Sequence, residues 1–331
     1  CFFVNSGSEA NELALRIART CTGQKDMLVV DNAYHGHTTS LIDISPYKFM
    51  GKGGRGEPEP WVHIVPVADG YRGRFKGQGK DAGTAYGNEI ETIIDKLDTP
   101  IAGFITESLL SCGGQVIPPK GYFEAAFRHV RNAGGLCIAD EVQTGFGRVG
   151  TRFWAFELQE VVPDMVVMGK PMGNGHPMAA VVTRREIADI FANGMEFFST
   201  FGGNPVSCAI GMAVLDVIKE EGLQVHARDI GKRMLEGLQE LKGKHDIIGD
   251  VRGVGLFIGV ELVGNRETLT PAAQQAYAIV NLMKNRGILL GTDGPFNNVI
   301  KIKPPMVITG EDSDMFIRVL DDVLTDMKNS N

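Results

Sequence analysis

Leu136-Cys137-Ile138-Ala139-Asp140-Glu141-Val142-Gln143 is the stretch on which the fold turns. Four apolar residues end abruptly in a carboxylate, as when a short strand buried on both faces delivers a charge to its carboxyl-terminal edge. Met165–Met168 repeats the pattern and runs into Gly169-Lys170-Pro171. Further apolar runs stand at Met27–Val30, Ile101–Thr106 and Ala179–Val182, each leading into a glycine-rich or polar loop. Between such runs the period changes. Ala10, Leu13, Ala14, Ile17 and Ala18 share one helical face, which predicts an amphipathic helix over Glu9–Arg19 capped by Ser6 or Ser8. The alternation predicts an α/β fold, a mostly parallel sheet with helices on both faces. Such sheets bind ligands at the carboxyl ends of their strands, so Asp140 and Lys170 are the first candidate site residues.

The chain has 331 residues, enough for about two domains. The pattern is helical from Pro205 to about Lys244, after which a smaller α+β unit is expected. Its strands would be Gly253–Leu262 and Val299–Ile302, and its helices about Ala272–Asn285 and Asp312–Lys328. A large domain over residues 1–244 and a C-terminal small domain over 245–331 follow. Pro46 to Gly87 is rich in glycine and reads as a long loop, a lid or mobile excursion. The net charge of -7 argues against a sequence-independent grip on nucleic acid or an anionic membrane. No apolar run approaches the length needed to cross a bilayer. The five cysteines are dispersed, without a C-x-x-C pair, which points to a reducing compartment and against a zinc site. The opening Cys1-Phe2-Phe3-Val4-Asn5 reads as the start of a fragment whose N-terminal portion is missing, so no leader can be sought. The expected location is the cytoplasm, with the mitochondrial matrix as the other compartment that these observations allow.

Asn5-Ser6-Gly7-Ser8-Glu9-Ala10-Asn11 is a small-residue turn opening onto the first helix, where free N–H groups and the positive dipole end favour an anion. Singly, this cup, the strand-end acid and the strand-end lysine are ordinary features: a capped helix and two loop charges. Together they are what pyridoxal phosphate requires: an anion cup, an acid for the ring nitrogen and a lysine for a Schiff base.

The sequence resembles the class-III pyridoxal-phosphate-dependent aminotransferases over essentially its whole length. The resemblance is carried by Ser6-Gly7-Ser8-Glu9-Ala10-Asn11, Tyr34-His35-Gly36, Asp140 to Arg148, Lys170 and Thr200-Phe201-Gly202-Gly203-Asn204-Pro205. It implies a fold-type-I transferase with pyridoxal 5'-phosphate as cofactor. Lys170 is then the Schiff-base lysine, and Asp140 pairs with the ring nitrogen. Tyr34 and Val142 sandwich the ring, Gln143 lies near its phenolic oxygen, and Glu107 lies in the cofactor pocket with a structural or electrostatic role. Gly7 and Ser8 hold the phosphate, and Thr200 from a neighbouring subunit completes that cup, which implies a homodimer.

Two positions depart from the keto-acid-using members of the class. Many of these keep an arginine shortly before a Pro-Pro pair and a glutamate in an E-P-x-x-x-E-G-G stretch that masks it. Here Lys301 and Cys112 stand at those places. Lysine lacks the planar fork that clamps a carboxylate, and cysteine cannot be its anionic mask. With Ser45-Pro46-Tyr47-Lys48-Phe49 and Gly169 to Pro177, these departures make the chain most similar to the ethanolamine-phosphate and 5-phosphohydroxylysine phospho-lyases, which eliminate phosphate from a phosphorylated amine. An aminotransferase is the alternative, and a non-catalytic scaffold is disfavoured by the intact Lys170 and Asp140. Pro46 to Lys80 holds seven basic residues against three acidic ones, so a phosphate-facing lid is conceivable there, although a solvated basic loop accounts for most of these charges. Lys301, Lys303 and His176 are alternative phosphate partners. Gly51 to Gly56 matches G-x-G-x-x-G but lacks the flanking strand and helix of a dinucleotide site. His35-Gly36-His37 lacks further metal ligands, so no metal is expected.

Overall fold

The β-rich runs become one sheet in the computed structural model, which describes residues 1–329. Its strands are Phe2–Val4 (β1), Asp26–Val30 (β2), Val62–Val65 (β3), Ile101–Glu107 (β4), Leu136–Asp140 (β5), Met165–Met168 (β6) and Ala179–Thr183 (β7). Their order is β1-β7-β6-β5-β4-β2-β3, parallel from β3 to β6, with β7 antiparallel to both neighbours. The helices of this unit are Gly7–Thr22 (α1), Thr39–Asp43 (α2), Pro46–Phe49 (α3), Lys80–Ile94 (α4), Tyr122–Asn132 (α5), Arg185–Phe191 (α6) and Pro205–Glu220 (α7). Ala10, Leu13, Ala14 and Ile17 of α1 share a buried core with Ile105 and Ile138. The alternate residues, Phe104 and Cys137, meet Phe127 of α5. Successive strand residues point to opposite faces, so α1 and α5 cover opposite sides of the sheet. Glu107, Asp140 and Lys170 all lie at the carboxyl ends of parallel strands.

The stretch expected as a loop, Pro46 to Gly87, instead contains α3, β3 and the start of α4. β3 is a four-residue edge strand paired with β2 alone, too short to show a period. Gly83 and Gly87 lower the helical propensity of α4 but let it nest on its neighbours. A Cβ at Gly83 would stand 2.0 Å from the Lys120 carbonyl oxygen, and one at Gly87 would stand 2.5 Å from Ala125 Cβ.

The second unit comprises residues 111–117 and 147–153 and the chain from Glu221 onward. Its elements are Leu223–Lys244 (α8), Ile248–Val254 (β8), Phe257–Asn265 (β9), Thr270–Pro271 (β10), Ala273–Asn285 (α9), Gly291–Asp293 (β11), Val299–Ile302 (β12) and Gly310–Asn329 (α10). The expected boundary at 244/245 is not where the contacts divide. Gly222, at φ 62°, ends the helical run, and α8 then lays Ala227, Met234, Leu238 and Leu241 into a core with Ile248, Ile258 and Leu320. Residues 330 and 331 of the expected small domain lie outside the described residues. The strand expected at Gly253–Leu262 is the hairpin of β8 and β9, in which Val254 faces Phe257 and Gly255 takes φ 55° to make the turn.

Candidate active site

Asp140 ends β5 almost fully buried, and three donors hold its carboxylate. Asn11 of α1 donates from Nδ2 to Oδ2 at 2.8 Å, His35 Nδ1 meets the same oxygen at 2.8 Å, and the Val142 N–H donates to Oδ1 at 3.0 Å. An ionised carboxylate only accepts, so Nδ1 of His35 carries the proton, and Oδ1 keeps a second acceptor site. Asn11 Nδ2 also donates to the His35 carbonyl at 2.8 Å, which ties the Tyr34-His35-Gly36 segment to α1. Asn11 Oδ1 and His35 Nε2 are buried beside this carboxylate without a hydrogen-bond partner. The next residue, Glu141, is fully buried and accepts from Ser108 Oγ, Thr144 Oγ1 and the N–H groups of Ala155 and Phe156. Burial pushes its carboxyl above the ordinary value, against the pull of those four donors.

The cup forms at the start of α1. Ser6 Oγ accepts the Glu9 N–H at 3.1 Å, while the N–H groups of Gly7 and Ser8 lie in the first turn, where no intrahelical acceptor exists. A Cβ on Gly7 would stand 2.9 Å from Val142 Cγ1, and one on Gly169 would stand 3.3 Å from the Gly7 Cα. The backbone before Lys170 therefore lies against the cup and against Val142. Lys170 leaves β6 with an exposed side chain and φ 20°, opening a 3-10 turn. His37 flanks the cup, its Nδ1 3.2 Å and its N–H 3.3 Å from Ser8 Oγ.

Tyr34, half-buried, donates its N–H to Glu107 at 3.2 Å, and Glu107 is the register partner of Asp140 across β4 and β5. The Tyr34 ring meets Tyr47 edge-on, centroids 6.2 Å apart. Gln143 follows Val142, half-buried, and Thr200 is exposed ahead of α7. Among the described residues no hydrogen bond joins Thr200 to the other site residues. The structure thus assembles Gly7, Ser8, Tyr34, Glu107, Asp140, Val142 and Lys170 at one sheet edge. Sequence reasoning missed Asn11 and His35 as supports of Asp140. The available signal was a polar residue, Asn11, on the buried stripe of α1 with Ala14, Leu15 and Ala18.

Pyridoxal phosphate fits these residues. A buried carboxylate with acceptor capacity, two orphaned polar atoms beside it, a helix start where glycine permits close approach and a strand-end lysine are complementary to a ring nitrogen, a phosphate and an aldehyde. No metal-binding cluster occurs among the described residues.

In the second unit, Lys301 on β12 donates to Asp293 Oδ1 at 3.2 Å, and Gln115 Nε2 donates to Oδ2 at 2.7 Å. Burial pushes the Asp293 carboxyl up, and Lys301 pulls it part of the way back. The Cys112 carbonyl accepts the Gly294 N–H at 2.9 Å, and Arg252 holds the Gly114 carbonyl, which pins that loop to the sheet of the unit.

The chain belongs to the class-III aminotransferases: the pattern of that family, "Aminotransferase class-III", matches residues 1–324. The family uses pyridoxal phosphate, and its mixed, mostly parallel sheet with helices is the fold described above. The chain is 52% identical to a Drosophila melanogaster protein named alanine–glyoxylate aminotransferase 2-like, an alignment covering 98% of this chain and 67% of that one. It is 46% identical to ethanolamine-phosphate phospho-lyase homolog 1 of Caenorhabditis elegans, over 98% and 72%. A mitochondrial alanine–glyoxylate aminotransferase 2 homolog of Arabidopsis thaliana is 45% identical, over 97% and 65%, so the chain spans about two thirds of the length of these relatives. Among solved structures, a phospholyase from Arthrobacter in complex with phosphoethanolamine superposes with a TM-score of 0.91 at 38% identity, covering 98% of this chain and 76% of that one. A PLP-bound amine transaminase from an uncultivated Pseudomonas species gives 0.90 at 28% identity, over 98% and 76%. Among the described residues no helix is long and apolar enough to cross a membrane.

Proposed function

We propose that the protein is a phospho-lyase acting on a small phosphorylated amine such as phosphoethanolamine. When bound, pyridoxal phosphate supplies the electron-withdrawing ring that acidifies the carbon bearing the substrate nitrogen. In this reading Asp140 holds the ring nitrogen, steadied by Asn11 and His35. The Gly7 and Ser8 N–H groups take the cofactor phosphate, Tyr34 and Val142 cover the ring faces, and Gln143 and Glu107 line the pocket. Lys170, the residue that would hold the cofactor, is freed as an amine when the substrate amine takes its place, and that amine would then remove the proton from the nitrogen-bearing carbon. The neighbouring C–O bond then breaks, phosphate leaves with the bonding electrons, and water hydrolyses the resulting enamine. Phosphoethanolamine and one water become acetaldehyde, ammonia and phosphate.

The observation that carries this reading over its alternative is the pairing of Lys301 with Asp293. Where keto-acid-using members keep a guanidinium, this chain has an ammonium already bound to a buried carboxylate, a poor clamp for a second carboxylate. The phospholyase complex and the phospho-lyase homolog among its relatives support the same substrate class. The second reading, an aminotransferase moving an amino group from an amine or alanine to a 2-oxo acid, draws support from the transaminases of the same fold and from the Drosophila relative's name.

A homodimer completes the proposal, with the partner subunit's Thr200 closing the phosphate cup. It is supported by α7, which buries only Ser207 and Gly211 while Val206, Met212, Leu215 and Val217 are exposed beside Phe198 and Phe201. A reducing compartment such as the cytoplasm belongs to the same reading, supported by five dispersed cysteines without a C-x-x-C pair. The test is to incubate the full-length enzyme with its cofactor and phosphoethanolamine or, separately, phosphohydroxylysine, without keto acid. Equal release of phosphate and ammonia is expected. Amino transfer only after pyruvate or glyoxylate is added would replace this reading with the second.

A further inference from the structure

The basic stretch from Pro46 to Lys80 sorts itself by partner. Arg55 pairs with Asp43 and Glu59, Arg74 with Glu89 and Lys80 with Glu124, and Lys76 donates to the Tyr71 carbonyl. These cations are committed to local contacts. Lys48 is different. Among the described residues no carboxylate pairs with Lys48 or with the exposed Lys52, but of the two it is Lys48 whose ammonium lies over aromatic rings, 5.6 Å from the centroid of Tyr34 and 5.2 Å from that of Tyr47. Tyr34 is the ring of the Tyr-His-Gly segment whose next residue touches Asp140.

The platform under Lys48 is fixed to that segment. The Tyr47 N–H donates to the Ala33 carbonyl at 3.2 Å, and the His35 N–H donates to Ser45 Oγ at 3.0 Å, so both sides of Pro46 are stitched to residues 33–35. A cation over two aromatic faces is oriented by their quadrupoles, yet all three of its N–H donors remain available to an anion. The cup at the start of α1 already provides for the cofactor phosphate, so a second phosphate at this edge requires a second positive group.

We propose that Lys48, oriented by Tyr34 and Tyr47, binds the phosphate of the substrate and stabilises it as the leaving group. This assignment rests on the phospho-lyase reading. Lys48 neutralises part of the dianion on binding and more of the charge that gathers on the departing oxygen as the C–O bond breaks. Its chemical preference is for a phosphomonoester on an amine over an amine with an apolar tail, because an apolar group would leave the ammonium without its counter-ion.

The test compares the full-length holoenzyme with Lys48→Met and Lys48→Arg. Lys48→Met is expected to lower kcat/KM for phosphoethanolamine by roughly a hundredfold, and to weaken calorimetric binding of inorganic phosphate to the holoenzyme by roughly tenfold. Cofactor affinity should stay within about twofold of the parent, and Lys48→Arg should retain most of the phosphate binding. Lys48 is exposed, so circular dichroism and the melting temperature of each variant should match the parent. Unchanged phosphate binding and kcat/KM in Lys48→Met, in a parent that does release phosphate, overturn the assignment. Loss of cofactor affinity in parallel with activity overturns it too, since Lys48 would then serve the cofactor. A parent that releases no phosphate overturns the phospho-lyase reading itself.

Discussion

Asn11→Asp tests the buried charge at the centre of the site. The substitution keeps size and shape but replaces an amide that donates to Asp140 Oδ2 and to the His35 carbonyl with a group that, ionised, only accepts. With charge centres about 4 Å apart and an effective dielectric of about 20, the two carboxylates repel by about 4 kcal/mol. The two lost hydrogen bonds add about 2–4 kcal/mol, the bond to the charged acceptor being the larger share. Protonating one acid relieves the repulsion, at a cost of about 4 kcal/mol near neutral pH for a group that normally titrates near 4. The pair's folded-state pKa thus rises above its unfolded value. By linkage, stability is fully present below the unfolded pKa and is lost as pH rises through the folded one. The apo-variant should therefore lose about 6–8 kcal/mol relative to the parent at about pH 8, and only about 3.5–5.5 kcal/mol at about pH 5, where protonating one acid costs about 1.4 kcal/mol. Urea unfolding at both pH values measures this, with Asn11→Leu as the control that removes the donors without adding charge and should show a flat pH dependence. A loss in Asn11→Asp that is independent of pH, or smaller than about 1 kcal/mol throughout, would refute the shared burial of these two side chains.

Three further predictions use other parts of the chain. Gly231 and Gly243 both lie in α8, yet Gly231→Ala would place a Cβ 2.1 Å from the Gly255 carbonyl oxygen, whereas nothing lies within 4 Å of the one added at Gly243. The first should destabilise by more than about 2 kcal/mol and the second should stabilise by about 0.5–1 kcal/mol, a difference in sign read from denaturant midpoints. Glu141→Gln removes a carboxyl whose folded pKa is raised by burial. The parent should lose stability as pH rises from the ordinary glutamate range through that raised value, and the variant should lack this decline, so their difference should drift with pH and a constant difference would count against an ionising Glu141. If the proposed homodimer forms through α7, Leu215→Asp with Met212→Asp should leave a monomer in light scattering and lower cofactor affinity, while a dimeric mass unchanged from the parent's would remove α7 from the interface.

Strand-end chemistry was legible because it is written locally. A run such as Leu136–Asp140 carries its apolar body and terminal charge in five consecutive residues. The same holds for Met165 to Lys170 and for the small-residue turn before α1. What escaped was long-range or was masked by glycine. His35 and Asn11 support Asp140 across 105 and 129 positions of sequence, and a histidine two residues from another invites a metal reading until the fold shows which carboxylate it faces. Gly83 and Gly87 made α4 look like loop because their helical cost is visible in sequence, while the close approach to α5 that offsets it is not. Gly255 concealed a hairpin, since a single glycine inside an apolar run also fits an uninterrupted strand.

The distinction between elimination and transamination rests on different physics from the cofactor site. In the proposed assignment Asp140, Val142, Lys170 and the cup would serve either reaction, so no refinement of their geometry can separate the two. What differs is the anion that the second substrate carries. A 2-oxo acid presents a flat carboxylate suited to a forked guanidinium, whereas a phosphomonoester presents a tetrahedral dianion that a point-charge ammonium can meet from any side. In this chain the ammonium of Lys301 is occupied by Asp293, while that of Lys48 lies over aromatic faces. Under the proposed phospho-lyase reading both features would favour the tetrahedral anion, and they are independent of each other, since one concerns the strand β12 and the other the short helix α3. Asp293→Asn should accordingly free Lys301 and raise the yield of amino transfer to pyruvate in the full-length enzyme, while Lys48→Met should depress phosphate release. The two changes combined should move the ratio of transfer to elimination further than either alone. A ratio unmoved by both would mean that reaction choice lies outside these two cations.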